Sequence, residues 1–313
     1  MNEEDTSTPP ESAAPAPKTH CGIVAVVGRT NAGKSTLVNA IVGEKVSIVS
    51  PVVQTTRNNI RAVLTDSRGQ LVLIDTPGLH KSQTHLGTAM NRIARRSIDG
   101  VDAVLLVFDG SRSPQIEDDG WMRRALFAEA PVVFLLNKND AGNRVEEFQE
   151  LWESIQSEKG VRKDNVTWFS CSAADGRGVQ ALVTRLFHLL PRGPMLFDPE
   201  LLTDNPRLLA IADVIREKYF QLLDDEIPHS IGIVVDGIRE HDGLWDIEAT
   251  LYVDRPSQKA IVIGPKGRML RAVKRKAEPE LAEVFGVDCR VNIWVKVEKN
   301  WAENHFILRK MGL

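Results

Sequence analysis

The chain is poor in cysteine. Cys21, Cys171 and Cys289 are the only three in 313 residues, far apart and in no metal-ligating spacing. A disulfide framework and a zinc ribbon are therefore excluded, and the setting expected is reducing and cytoplasmic. No H-E-x-x-H or other paired metal spacing occurs among the seven His, which excludes that class of zinc hydrolase. No apolar run approaches the ~18 residues of a membrane span. A dominant charge sign is missing as well: 39 Lys and Arg face 42 Asp and Glu, a net charge of -3. Any basic surface must therefore be local. There is no internal repeat.

The rest is ordinary for a soluble globular protein, with 42% hydrophobic and 26% charged residues. The length fits two domains of about 150 residues. "MNEEDTSTPPESAAPAPK" holds four Pro, four acids and no large apolar residue beyond Met1. It lacks the apolar centre of a signal peptide, and residues 1–20 read as a disordered tail. Over residues 21–190, short apolar runs ("GIVAVVG", "VDAVLLVFD", "PVVFLLNKND", "VTWFSCSA") alternate with helical patterns. Repeated β-α-β units imply an α/β domain with a largely parallel sheet and helices on both faces. "NIRAVLTD" and "QLVLIDT" around "SRG" read as a hairpin that adds one antiparallel edge strand. A Pro-rich stretch at 191–206 reads as a linker. Beyond it the expected order is α-β-β-α-α-β, a smaller α+β domain over 207–301, with 302–313 as a C-terminal extension.

"GRTNAGKS" at 28–35 follows a strand and opens a helix, the context in which G-x-x-x-x-G-K-[ST] is a phosphate loop. Gly28 and Gly33 let the backbone curl so that N–H groups around Asn31 and Ala32 face a polyphosphate. The helix start at Ser35 and Thr36 favours negative charge. Lys34 places a cation on the β- and γ-phosphates, and Ser35 can ligate Mg²⁺. "NKND" at 137–140 ends an apolar strand about 100 residues later. Asp140 can accept from guanine N1–H and its 2-amino group, which adenine cannot match, so GTP and GDP are expected rather than ATP. Asn137 suits the base edge and neighbouring loops, and the Lys138 stem can cover the ring plane. "CSA" at 171–173 offers Ser172 and Ala173, where a backbone N–H can meet the guanine carbonyl. Cys171 reads as core.

In "DTPG", Asp75 would hold Mg²⁺ through water and Gly78 would offer its N–H to the γ-phosphate. In "VVQTTRN", Thr56 rather than Thr55 would reach Mg²⁺. Both segments are expected to order when GTP is bound. The catalytic set is thus Lys34, Thr56 and Gly78. Leu79 stands where Ras-like GTPases carry a water-positioning Gln, so turnover should be slow unless another element helps. His80 reads as a bland neighbour of this segment.

At the other end, "IVIGPKGRMLRAVKRK" reads as a strand-like run, a Gly-x-x-Gly turn and a basic helix. Between Arg255 and Ala277 there are eight Lys and Arg and no acid, whereas residues 200–313 hold 17 basic and 19 acidic residues. The charge is concentrated at Gly264, Pro265, Lys266 and Gly267, with Arg268, Arg271 and Lys274 behind them. Such a loop clamps about four nucleotides of single-stranded backbone. A second triphosphate site is disfavoured, because G-K-[ST] and a guanine reader are missing there. Trp294 reads as core, and Trp301 as core or as a contact to RNA or the other domain.

These motifs in this order resemble the translation-factor-like GTPases. "SIVSPVVQTTRNNI", "IDTPGLH" and a C-terminal half that looks like a type II KH domain nearly end to end narrow the resemblance to the Era family, over about residues 21–305. Thr30 and Ala32 depart from the Pro and Val usual there and leave the glycines and Lys34 untouched. The resemblance implies a mixed six-stranded sheet, binding near the 3′ end of 16S ribosomal RNA, and a role in 30S subunit assembly. It further implies a monomer, a cytoplasmic location and a peripheral membrane fraction. Asn31 either ligates K⁺, as in related GTPases, or stabilises the turn. Two alternatives stay open: an RNA chaperone whose hydrolysis is incidental, and a membrane-linked signalling protein that uses the KH domain for protein contacts.

Overall fold

A computed structural model describes residues 19–47, 60–77, 98–223 and 230–313. Strands β1 (His20–Val27), β2 (Ile60–Asp66), β3 (Gly69–Asp75), β4 (Ala103–Asp109), β5 (Val132–Asn137) and β6 (Val166–Ser170) form one sheet. Its order is β2-β3-β1-β4-β5-β6. Only β2 runs antiparallel, pairing with β3 from Ile60 opposite Asp75 to Asp66 opposite Gly69. The expected hairpin and mixed sheet are both present.

Side chains alternate across each strand, so one strand feeds two cores. Val24 and Val26 pack with Leu37, Val38, Leu182 and Leu186 on one face. Ala25 and Val27 pack with Trp121, Met122, Phe148 and Trp152 on the other. Helices α1 (Lys34–Val42) and α4 (Val179–Leu189) cover the first face, and α2 (Ile116–Leu126) and α3 (Val145–Lys159) the second. Every residue of β4 is buried, as a central parallel strand requires.

The Pro-rich connection is not slack. Gln70, fully buried, accepts from the N–H groups of Leu196 and Phe197 at 2.7 and 2.8 Å. Val63 N donates to Leu202 O at 2.9 Å and Thr203 Oγ1 to Arg61 O at 2.7 Å. The segment thereby covers the open edge of β2, where unpaired backbone groups would invite another chain.

The second unit comprises α5 (Arg207–Leu222), β7 (Gly232–His241), β8 (Leu244–Val253), α6 (Pro256–Ile263), α7 (Arg268–Phe285) and β9 (Asp288–Val297). Strands β7 and β8 are antiparallel, β8 and β9 parallel. The α-β-β-α-α-β order stands, but its middle helices are not those expected. "AIVI" is the end of α6 rather than a strand. Pro256 suits a first helical turn, and Gln258 Oε1 accepts from the Asp254 and Arg255 N–H groups at 2.9 and 3.0 Å, overriding the β-branched bias. The two helices expected after the loop are one, α7, which continues through Pro279. Pro279 and Arg275 are both exposed, so the missing hydrogen bond between them falls on the solvent side of the helix.

Of the two tryptophan readings, the one for Trp294 changes. Trp294 is 69% exposed on β9, with Nε1 3.3 Å from a Glu248 oxygen. Trp301 is the core residue. It packs with Val234, Tyr252, Ile307 and Met311, and Nε1 donates to Ser230 O at 3.0 Å. Helix α8 (His305–Lys310) thus docks on the sheet face opposite α5 and α7. Trp301→Ala should destabilise this unit by about 3–5 kcal/mol, and Trp301→Phe by about 1 kcal/mol for the lost hydrogen bond. Urea unfolding of the full chain, followed by far-UV dichroism, measures both; equal costs would show that the indole packing is not what anchors α8.

Candidate functional site

Strands β1 and β3 end side by side, with Val26 opposite Asp75. Thr76 Oγ1 donates to Val26 O at 2.8 Å and locks the pair. The loop 28–33 therefore follows directly on a strand end held beside Asp75 and Thr76. Two of its glycines are dictated by neighbours. A Cβ on Gly28 would lie 2.2 Å from Val107 O, and one on Gly33 would lie 2.2 Å from Asn137 Nδ2. Both also hold positive φ, 148° and 92°. Gly33 caps α1, so the first helical N–H groups, from Lys34, Ser35 and Thr36, point into the loop.

The Lys34 side chain is buried, and Nζ donates to Arg29 O at 2.9 Å. Burial lowers its pKa to about 8, with the Asp75 charge opposing part of the shift. Asp75 is fully buried at the end of β3. Ser35 and Thr36 are half-buried, Ala32 is buried, and Asn31 is exposed with φ 59°. A loop held against β4 and β5 by two glycines with no room for a Cβ, and followed by a helix start, suits a polyphosphate. The Ser35 hydroxyl and Asp75 carboxylate are hard oxygen donors of the kind Mg²⁺ takes together with phosphate and water. Thr55, Thr56, Gly78, Leu79 and His80 lie outside the described residues.

Asn137 is 2% exposed, and its amide is spent on the protein rather than on a base edge. Nδ2 donates to Ala32 O at 3.0 Å, and Oδ1 accepts from Ala173 N at 2.9 Å. Lys138, at φ 65°, reaches across to donate to Asn31 O at 2.6 Å and Asp109 Oδ2 at 2.8 Å. Its stem thus runs along the phosphate loop. Asp140 is exposed. The N–H groups expected to meet a guanine carbonyl are engaged here: Ser172 N with Arg177 O at 2.9 Å, Ala173 N with Asn137. A guanine oxygen would have to share the Ala173 donor. Cys171 is buried, and burial pushes its thiol up to about 12, which suits a core residue and not a nucleophile. Sequence reasoning missed Arg29, Asp109 and Asp118, which lie under this loop. Asp109 at a strand end next to "NKND" was the available signal; no spacing points to Asp118.

In the second unit, Gly264 is dictated by backbone: its φ is 71°, and a Cβ would lie 2.8 Å from Met269 N. Gly267 caps α7 at φ 74°, and Lys266 takes φ 50° between them. Pro265, Lys266, Arg268 and Arg271 are exposed, and Lys274 is half-buried. Arg275, also exposed, follows Arg271 by four positions on the same helix face and was missed.

The two units meet through charge. Lys45, just past α1, places Nζ 3.0 Å from Glu217 Oε2 on α5 and 2.6 Å from Glu280 Oε1 on α7. Lys218 pairs with the same two acids. Burial works against the charged Glu280, but its bonds to Lys218 and Lys45 outweigh that and hold its pKa below the usual carboxylate value.

A phosphate loop on a mixed, mainly parallel sheet, followed by a Gly-x-x-Gly loop in an α-β-β-α-α-β unit, defines a P-loop GTPase joined to a KH domain. Family models agree: a 50S ribosome-binding GTPase model matches residues 23–138 and a KH-domain model residues 226–302. The chain is 37% identical over 295 residues to GTPase Era of Caldanaerobacter subterraneus subsp. tengcongensis, covering 93% of this chain and 97% of that one. It is 38% identical over 293 residues to GTPase Era of Carboxydothermus hydrogenoformans, with the same coverage. Among solved structures, an Aquifex aeolicus Era variant bound to GDP and AlF4⁻ superposes with a TM-score of 0.85 at 30% identity, over 94% of this chain and 99% of that one. Era in complex with MgGDPNP and nucleotides 1506–1542 of 16S ribosomal RNA gives 0.85 at 31%, over the same shares. The chain belongs to the Era family of GTPases.

The depressed Lys34 pKa has a measurable sign. Between about 8 and the ordinary 10.5 the unfolded chain binds the extra proton, so the nucleotide-free protein should gain stability from Lys34 as pH rises through that window. A polyphosphate favours the charged form, so binding should run the other way. GDP affinity should fall above pH 8, and binding at pH 9 should take up a proton. Titration calorimetry in buffers of different ionisation enthalpy reads the uptake; none at pH 9 would contradict a buried Lys34 that charges against phosphate.

Proposed function

We propose that this chain is a GTP-hydrolysing switch that binds 16S ribosomal RNA near its 3′ end and acts in 30S subunit assembly. The observation that carries it is a phosphate loop and a basic Gly-x-x-Gly loop in one chain that is 31% identical to Era in complex with MgGDPNP and 16S ribosomal RNA nucleotides, and the Lys45 cluster ties the stretch leading into residues 48–59 to α7, the helix that follows the basic loop. Lys34 and the loop amides would hold the phosphates, Ser35 and Asp75 the Mg²⁺, and Asp140 the guanine. Mg²⁺ would offset charge on the β- and γ-oxygens. Thr56 and Gly78 would sense the γ-phosphate while water attacks in line. Gly264 to Gly267 would admit the RNA backbone, with Lys266, Arg268, Arg271 and Lys274 neutralising phosphates. The unit boundaries support this division: the GTPase domain over 21–190, the edge-covering connection over 191–206 and the KH domain from 207, with 302–313 docked on it. No helix among the described residues is long and apolar enough to cross a membrane. A monomeric cytoplasmic protein suits this reading, and no observation favours a membrane role.

For the base, Asp140→Asn should weaken GTP by roughly 2–3 kcal/mol and favour xanthosine triphosphate, whose 2-oxo group matches an amide donor. Unchanged selectivity in competition binding would remove Asp140 as the reader. For K⁺, the Asn31 backbone carbonyl already accepts from Lys138, so the side-chain amide oxygen would be the ligand. GTP hydrolysis should be faster in K⁺ than in Na⁺, with the difference lost in Asn31→Ala; equal wild-type rates in both salts leave Asn31 as a turn residue. For the switch, RNA should bind more tightly with a non-hydrolysable GTP analogue than with GDP, and linkage requires RNA to tighten the analogue by the same factor. Lys45→Met should shrink that ratio toward one. Identical RNA affinities in both nucleotide states of the wild-type chain would mean the two domains are merely tethered.

A further inference from the structure

Arg29 follows Gly28 in the phosphate loop, and its two ends do different things. Its backbone carbonyl accepts from Lys34 Nζ at 2.9 Å. Its side chain turns inward and is 13% exposed. There Nε lies 3.2 Å from Asp118 Oδ2, and a terminal nitrogen lies 3.5 Å from Asp109 Oδ2. Asp109 closes β4 and also accepts from Lys138 Nζ at 2.8 Å and Ser111 Oγ at 2.5 Å. Lys138 in turn donates to Asn31 O at 2.6 Å. Asp118, Arg29, Asp109 and Lys138 therefore form one line of alternating charge beneath the loop. The line grips the loop backbone at residue 31 through Lys138 and carries the side chain of residue 29.

The bland account is that Asp118 serves its own helix. It does: Oδ2 accepts from Gln115 N at 2.9 Å and closes the first turn of α2. That leaves its other features unexplained. The carboxylate is fully buried, its Oδ1 has no hydrogen-bond partner among the described residues, and its Oδ2 faces a loop arginine. An exposed cap would serve the helix without the desolvation cost. A buried ion pair is a poor stabiliser compared with apolar side chains of the same volume, so stability alone does not account for it. Burial raises the Asp118 pKa to about 6 even with Arg29 beside it, and its charge is felt at Lys34. The Arg29 Nε and terminal nitrogen make these contacts outside hydrogen-bond geometry, so the pair acts through charge, and it sits at the residue whose carbonyl accepts from Lys34, in a loop that keeps positive φ at Gly28, Asn31 and Gly33.

We propose that Arg29, anchored by Asp118 and Asp109, is a positioning residue for guanine-nucleotide retention. It holds the loop backbone where Lys34 and the cradle amides meet the β-phosphate. This rests on the GTPase reading above. Arg29 need not touch the nucleotide; it acts through the backbone at 28–31 and through Lys34.

The test uses the full chain with Mg²⁺ and fluorescently labelled GDP, read as a dissociation rate in stopped flow, beside melting of the nucleotide-free protein. Asp118→Asn keeps the shape and can still accept from Gln115 N. Arg29→Gln removes the cation. Each should speed GDP release roughly tenfold, the effect of losing one charged contact, and the double variant should be no faster than the faster single. Arg29→Lys, which can keep one anchor, should fall between wild type and Arg29→Gln. Asp118→Asn, which removes the buried charge, should melt near wild type, whereas Arg29→Gln leaves that carboxylate without its cation and should melt lower. Wild-type release rates with lowered melting temperatures would overturn the proposal and leave the pair structural; additive effects would overturn it by showing two separate roles. If Arg29→Gln does not fold, Arg29→Lys decides: release at the wild-type rate overturns the proposal. A wild-type chain that binds no labelled GDP would instead refute the GTPase reading itself.

Discussion

The nucleotide half of this protein depends on one buried amide. Asn137 ends β5 and spends both of its polar atoms on other loops, Ala32 of the phosphate loop and Ala173 of the loop after β6. The fit is so close that Gly33 has no room for a Cβ. A buried amide left half-satisfied costs about 1–3 kcal/mol, so the three strand ends are held in one arrangement or pay for the difference. Lys138 extends the same logic, tying Asn31 to Asp109. The cradle for phosphate and the surface for the base are thus tied together before any ligand arrives, which lowers the ordering cost of binding.

The second half is attached with more than a tether. The connection after α4 is hydrogen-bonded along β2, and Gln70 fixes its course from inside. Lys45 then meets two glutamates contributed by α5 and α7. A charged junction suits a movable contact better than an apolar one. Lys45 is partly exposed, and its release would leave Glu217 and Glu280 still paired with Lys218, whereas an apolar face of the same area would hold the units shut. The polar contact at Lys45 and the apolar packing of Trp301 within the second unit therefore divide the labour. The first can give way as the nucleotide changes, and the second keeps the Gly-x-x-Gly loop on a firm base.

Much of the site was legible because the chemistry is local. A phosphate loop needs its glycines, lysine and hydroxyl within eight consecutive positions, and the strand before it and the helix after it announce themselves by period. "NKND" and the basic loop were legible for the same reason. The errors arose where tertiary packing competes with local preference. "AIVI" looks like strand because its residues are β-branched, yet Pro256 and Gln258 start a helix there. Pro279 looks like a break, yet its exposed face lets α7 continue. Trp294 looks like core, yet of two indoles seven residues apart it is Trp301 that the docking of α8 covers.

The sequence by itself determined the order of elements, the identity of the phosphate loop and the place of the basic loop, since each is written in neighbouring residues. Which side chains join those loops was decided only in three dimensions. Asn137 with Ala173, Arg29 with Asp118 and Lys45 with Glu280 are separated by 36, 89 and 235 positions along the chain. No periodicity spans such distances. The partners are chosen by sheet order and helix packing, and the desolvation of buried polar groups makes the choice binding.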